Sequence, residues 1–231
     1  MHTFLKKIKK FEKKPNVIKN FFSNDEIEKL LNLYKKLPIE VNNTRQKIVK
    51  KKWSANFLVE FQNIYKKKLE KVIGRFSMDN PKTKDGDESL GLFQESFMPV
   101  GLHVDTGFDF DKIIYKQILV PLYGEGETIV FKNRFYGCST TFSINPKELS
   151  AKGYNKRSSE HLEIYDKKPF DKDLYEKYLK HEEIDNLKGM EIEMVYKWRL
   201  GEILVFDRTN LHCSSSNLKE KKIGFTTSTK K

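Results

Sequence analysis

The chain has 231 residues, a formal charge of +12, 38% hydrophobic residues and 33% charged ones. That length suits one domain with a full hydrophobic core. No apolar run approaches the roughly 18 residues of a membrane span, and the N-terminus has no apolar stretch that reads as a secretory signal. Two cysteines, Cys138 and Cys213, exclude a disulfide framework and point to a reducing, cytoplasmic setting.

The charge is unevenly placed. Residues 1–75 hold 20 Lys+Arg against 7 Asp+Glu, and the other 156 residues hold 24 against 25. The excess sits in Lys6–Lys14, Lys47–Lys52 and Lys66–Lys71. Such a region can meet nucleic acid, anionic lipid or an acidic partner. Lysine outnumbers arginine 38 to 6, however, and nucleic-acid sites favour the Arg fork. The lysines therefore read mainly as solvated faces, with neither nucleic acid nor membrane expected as a partner.

In chain order, Asn16 to Pro38 reads as a strand and then a helix. Ser23 with Glu26 three residues on forms a capping box. Ile27, Leu30, Leu31 and Tyr34 follow at helical spacing, and Leu37-Pro38 ends the run. A second helix is expected over Asn56 to Ile73, with Phe57, Phe61, Ile64, Tyr65 and Val72 as its apolar stripe. From Leu90 the segments become short, β-branched or aromatic, and separated by turn residues. Strands are expected at Leu90–Phe97, Tyr115–Leu122, Thr128–Lys132, Gly137–Ile144, Glu191–Trp198, Glu202–Asp207, Leu211–Ser215 and Lys222–Ser228. One polar interruption, 146–190, is partly helical over Asp171–Lys180 and is expected to cover the mouth of the fold. The pattern is a single domain, mainly β with flanking helices. It has a helical N-terminal support region (1–89), a barrel or jelly-roll core (90–145 and 191–229) and the insert.

Of five histidines, His2 is terminal, and His161 and His181 lie in the insert. His103 and His212 flank strands. In His103-Val104-Asp105 the imidazole and carboxylate are two positions apart and point to one side of an extended segment. A second His on a distant strand, His212, would complete a face of three ligands with open positions, the arrangement of non-haem Fe(II) oxygenases. Lys222, ten residues past His212, could reach the same mouth and pair with a carboxylate.

Four segments carry a resemblance. They are Asn20-Phe21-Phe22-Ser23-Asn24-Asp25-Glu26-Ile27, Phe97 through Asp105, Gly124-Glu125-Gly126-Glu127-Thr128-Ile129-Val130-Phe131, and Gly201 through His212 with Lys222. In order and spacing they resemble the Fe(II)/2-oxoglutarate-dependent dioxygenase superfamily, and within it the prolyl 4-hydroxylase-like branch. The resemblance implies a double-stranded β-helix, a cupin-like jelly roll with the metal at its open end. It implies His103, Asp105 and His212 as Fe(II) ligands and Lys222 as the cation for the distal carboxylate of 2-oxoglutarate, with Lys221 in its place should the register shift by one. Lysine is a point charge rather than a fork, so Tyr115, Gln117 or Thr226 is expected to assist it. Where the family often has Tyr this chain has Phe97, leaving Gln94 or Ser96 to make that contact. Arg208 reads either as a clamp for an acidic group of the substrate or as a salt bridge; Arg134 and Arg157 are weaker candidates.

The implied activity is hydroxylation of an unactivated C–H bond of a small-molecule or peptide substrate, with O2 consumed, succinate and CO2 released, and ascorbate as an accessory. Asp105 favours hydroxylation over halogenation, which drops this carboxylate. Three rivals stand beside it: a nucleic-acid base demethylase of the same superfamily, a non-catalytic cupin-like binding protein, and an interaction module led by the basic N-terminal third. Substrate identity and oligomeric state are left open.

Overall fold

The computed structural model describes residues 2–44, 47–106, 112–136, 141–143, 154–156 and 168–231. Asp109, Asp111, Cys138, Arg157, His161 and Tyr165 lie outside the described residues. The N-terminal third supplies α1 (His2–Lys10), β1 (Asn16–Ile18) and α2 (Asn24–Lys36). The capping box forms as the sequence requires: Ser23 accepts from the Glu26 amide, and Glu26 accepts from the Ser23 amide. Leu37 closes α2 in an extended conformation. Ile27, Leu30, Leu33 and Tyr34 are its buried face.

Two expectations change here. The basic run Lys47–Lys52 is not a solvated surface: β2 (Val41–Asn43) and β3 (Ile48–Ser54) form a hairpin through it. Lys51 is buried, with its ammonium 2.8 Å from the Tyr34 carbonyl. The second helix, α3 (Val59–Ile73), starts three residues later than expected, after Leu58 in a left-handed conformation (φ 51°). Its buried row is Phe61, Gln62, Tyr65, Leu69 and Ile73, whereas Phe57, Ile64 and Val72 are exposed. The indole of Trp53 decides this rotation by stacking on Phe61 and Tyr65. Gln62 adds to it by donating to the Ser54 and Phe57 carbonyls at 3.0 and 2.6 Å.

Then follow β4 (Ser77–Met78), β5 (Ser89–Ser96), β6 (Ile114–Tyr123), β7 (Glu127–Arg134), β8 (Thr141–Ser143) and β9 (Tyr154–Lys156). The short helix α4 (Lys172–Leu174) runs into a π turn at Tyr175–Leu179. The chain continues with β10 (Ile192–Lys197), β11 (Ile203–Asp207), β12 (Asn210–Ser214) and β13 (Lys222–Lys230). The large sheet runs β1-β11-β6-β13-β5-β3-β2, with β4 beside β13. The small sheet runs β10-β7-β12. It is extended by residues around His103, which exchanges backbone hydrogen bonds with His212 at 3.0 and 2.9 Å. From β5 the chain passes to the His103 segment on the small sheet, back to β6, across to β7 and β10, and then through β11, β12 and β13 on alternate sheets, and this is the double-stranded jelly roll.

Period-two alternation divides the apolar residues into three cores. Phe93, Ile118, Val120, Val205 and Phe225 face α2 and α3 with Trp53 and Tyr65. Leu119, Leu204 and Phe206 from the large sheet meet Val130 and Tyr196 from the small one inside the barrel. The outer face of the small sheet (Ile129, Phe131, Leu211, Cys213) is covered by Phe170, Leu179, Leu187 and Met190 of the insert. The described half of the insert, 168–190, is therefore a packed third layer behind the small sheet rather than a cover for the mouth. No described helix is long and apolar enough to cross a membrane.

Candidate metal centre

His212 lies on β12 with its neighbours Leu211 and Cys213 turned outward into the insert layer, so strand parity points the imidazole into the barrel. His103 and Asp105 stand on the adjoining segment, where buried Leu102 and Val104 fill the same outer core. The ligand atoms of His103, Asp105 and His212 lie within 4.8 Å of one another. His212 Nε2 is 3.2 Å from Asp105 Oδ2.

The second ring nitrogens are already engaged. His103 Nδ1 lies 2.7 Å from the Gly101 carbonyl, and His212 Nδ1 lies 3.0 Å from the Asn210 carbonyl. A carbonyl can only accept, so each Nδ1 carries a proton, and each Nε2 is the ring atom left to face the centre. Burial and the neighbouring His212 push the His103 pKa down to about 4, which keeps the ring neutral. Burial opposes ionisation of Asp105, but His212, His103 and Arg208 outweigh it and hold the carboxyl well below its usual range. Two imidazoles and one carboxylate, converging and oriented from behind, fit a divalent transition metal with open positions.

The other expected residues divide. Lys222 points into the barrel. It is buried, donates to Ser214 Oγ at 2.8 Å, and lies 4.6 Å from the centre of the Trp198 ring. Burial brings its pKa down to about 8. Ser96 and Gln94 share its face of the large sheet, and Gln94 donates to Ser96 at 3.0 Å. Lys221 points elsewhere, toward Glu95 at 3.4 Å. Thr226 faces inward opposite Leu119, and its hydroxyl donates to the Leu92 carbonyl at 3.3 Å.

Tyr115 and Gln117 do not share a face. A register shift between Ser228 and Lys230 turns Tyr115 outward, where its hydroxyl donates to the Ile73 carbonyl at 2.6 Å. Gln117 stays inside and accepts from Ser228 at 2.7 Å. Arg208 is no substrate clamp. It is buried and fully engaged, with Nε on the Asp105 carbonyl (2.6 Å), Nη1 on Asp79 (2.5 Å) and on the Thr229 carbonyl (3.1 Å), and Nη2 near the Thr106 carbonyl (3.4 Å). It positions the backbone of Asp105. Arg134 is likewise occupied, pairing with Asp207 at 2.8 Å.

Sequence reasoning missed four residues. Ser214 follows His212 by two, so strand parity alone put it on the same face. Trp198 lies under the Lys222 ammonium. Glu182 of the insert accepts the Leu102 amide at 2.6 Å and braces the segment that carries His103. Lys50 of β3 lies level with Gln94 on the inner face, and Asp105 and His103 both feel its charge. It was hidden in a lysine run that looked like surface.

No protein-family model matches the chain, and no curated protein matches it. Solved structures do match, and the class they define is the 2-oxoglutarate Fe(II) oxygenase fold. HygX from Streptomyces hygroscopicus, solved with nickel and 2-oxoglutarate bound, is 10% identical; the match covers 100% of this chain and 87% of HygX, with a TM-score of 0.54. The non-heme, α-ketoglutarate-dependent carbocyclase SnoK from nogalamycin biosynthesis is 10% identical over 97% of this chain and 83% of its own, with a TM-score of 0.51. A prolyl-4-hydroxylase of Pseudomonas putida is also similar, at 10% identity over 99% of this chain and 98% of its own, with a TM-score of 0.46. HygX and SnoK establish a shared fold.

Proposed function

We propose that this protein is an Fe(II)- and 2-oxoglutarate-dependent oxygenase that hydroxylates an unactivated C–H bond. The observation that carries this is the convergence of His103, Asp105 and His212 at the open end of a jelly roll, with both imidazoles anchored through Nδ1. HygX, with the same fold, was solved with a metal and 2-oxoglutarate. His103, Asp105 and His212 would hold Fe(II), and Lys222 the distal carboxylate of 2-oxoglutarate. With O2 as the oxidant, bound iron and 2-oxoglutarate would supply the chemistry that hydroxylates a C–H bond, one oxygen atom going to the substrate and the other to succinate, with CO2 released.

The protein's own part is orientation and exclusion of water. Gly101 and Asn210 carbonyls fix the tautomers. Arg208 fixes the Asp105 backbone. Ser214 and the Trp198 face hold the Lys222 ammonium where an arriving carboxylate replaces lost hydration. Gln94 and Ser96 offer donors on the same wall, in place of the phenol that Phe97 lacks. The prolyl-hydroxylase-like branch rests on the motif order in the sequence, and the substrate is a small molecule or a peptide.

Anaerobic addition of Fe(II) and 2-oxoglutarate tests this reading. A weak visible charge-transfer band is expected, and His212→Ala should remove both the band and succinate release. Full turnover by His212→Ala would overturn the triad, and absence of the band in the wild type would favour a binding protein.

A further inference from the structure

Lys50 is a cation in an unusual place. It stands on β3, the strand beside β5, opposite Gln94 and in line with Gly224 of β13. That row faces the barrel interior, as the contact between the Gly224 position and the Trp198 ring shows. The flanking side chains on β3 point the other way: Lys51 reaches the Tyr34 carbonyl, and Val49 shares its parity. Lys50 thus enters the mouth from the side opposite β6 and β11, with Asp105 and His103 in electrostatic reach. Among the described residues it makes no hydrogen bond and no ion pair.

Among the described residues, its one acidic neighbour of consequence is Asp105. The nearby acids Glu95, Glu127 and Glu182 sit at outward-facing positions, bonded to Tyr34, Ser215 and the Leu102 amide. Under the proposed function Asp105 is committed to the metal. The dication, Asp105, Lys222 and the dianionic co-substrate then balance to zero. Lys50 adds a partly desolvated positive charge that none of these anions meets, facing the position left for the primary substrate. A buried charge without a partner is unfavourable unless an anion arrives.

We infer that Lys50 is the anchor for a carboxylate of the primary substrate, which makes the substrate an acid. This rests on the iron and 2-oxoglutarate reading. A carboxylate could also come from the co-substrate itself, so the test separates the two sources.

The protein is loaded with Mn(II), which binds as a paramagnetic and catalytically silent probe, and saturated with 2-oxoglutarate. Propionate and its neutral isostere propionamide are then titrated in, and the broadening of their proton resonances by the metal is measured. Propionate should be broadened well beyond propionamide. Lys50→Met should weaken propionate binding about tenfold, the loss of one charge-assisted hydrogen bond, and Lys50→Arg should retain it. The 2-oxoglutarate dissociation constant should stay within about twofold of wild type in Lys50→Met and rise steeply in Lys222→Met. Equal broadening of the two probes, or unchanged propionate binding in Lys50→Met, would overturn the inference. So would a loss of 2-oxoglutarate affinity in Lys50→Met matching that of Lys222→Met, which would assign Lys50 to the co-substrate. Failure of the wild type to bind Mn(II) and 2-oxoglutarate would overturn the proposed function as well. Circular dichroism of each variant checks that the fold is intact.

Discussion

Arg208→Lys separates a positioning residue from a substrate clamp. Lysine keeps the charge opposite Asp79 but cannot reproduce a fork that reaches three backbone carbonyls at once. Two of those contacts are short (2.6 and 3.1 Å) and one is long (3.4 Å). With about 1.5 kcal/mol for each short charge-assisted bond and less for the long one, the loss is about 3 kcal/mol. Arg208→Met should cost more, about 3–5 kcal/mol, because buried Asp79 then loses its shortest ion pair and keeps Lys112 at 2.7 Å and Lys230 at 3.9 Å. At this chain length 3 kcal/mol lowers the melting temperature by roughly 6–12 °C. The same change frees the Asp105 backbone, so metal affinity should fall about 10- to 100-fold, as for other groups that orient a ligand. Urea unfolding of the metal-free protein gives the first number, and Mn(II) titration of the folded protein gives the second. A clamp for substrate would leave both untouched. Wild-type stability and metal affinity in Arg208→Lys would refute the positioning role.

Other expectations follow from single features. Ser23→Ala removes one half of the capping box on α2 and should cost about 1 kcal/mol in urea unfolding. Trp53→Ala empties a fully buried site ringed by Phe61, Tyr65, Phe93 and Phe225 and should cost about 3–5 kcal/mol, enough to broaden or abolish the thermal transition. Burial holds the His181 pKa at about 4, below its unfolded value of 6.5. The unfolded chain therefore binds more protons between those values, and stability should fall as pH drops from about 6.5 to about 4; His181→Gln should flatten that dependence in acid-unfolding curves. The Lys222 pKa of about 8 means that 2-oxoglutarate affinity should weaken as pH rises through that value. Anaerobic spectroscopic titration measures this, and Lys222→Arg should move the loss to higher pH.

Much of the site was readable from residue spacing. His-x-Asp on an extended segment dictates a shared face, and a distant His at a strand start supplies the third member of the cluster. The capping box at Ser23 set the start of α2 because its signal is local. The failures have a common physical cause. The stripe of α3 depends on where Trp53 stacks, and β3 lies in a lysine run whose composition masks its alternation. Tyr115 and Gln117 looked equivalent by parity, but a bulge on β6, where Tyr115 and Lys116 together oppose Thr229 of β13, turns one of them outward. Arg208 looked exposed because loops usually are, yet it carries contacts to residues 103 and 129 positions away. Tertiary partners of that kind leave no trace in local pattern.

The placement of β13 has a consequence for biogenesis. It follows every other described strand in chain order, yet it lies between β5 and β6, in the interior of the large sheet. A growing chain that ends before residue 222 has β5 and β6 without their common neighbour, so two apolar strands present open edges. Phe225, which packs on Trp53, Tyr65 and Phe93, would be missing from the aromatic core at the same time. Truncation by ten residues should then yield an aggregating polypeptide rather than a shorter domain. The sheet that carries Lys222 closes only once residues 222–230 have been made.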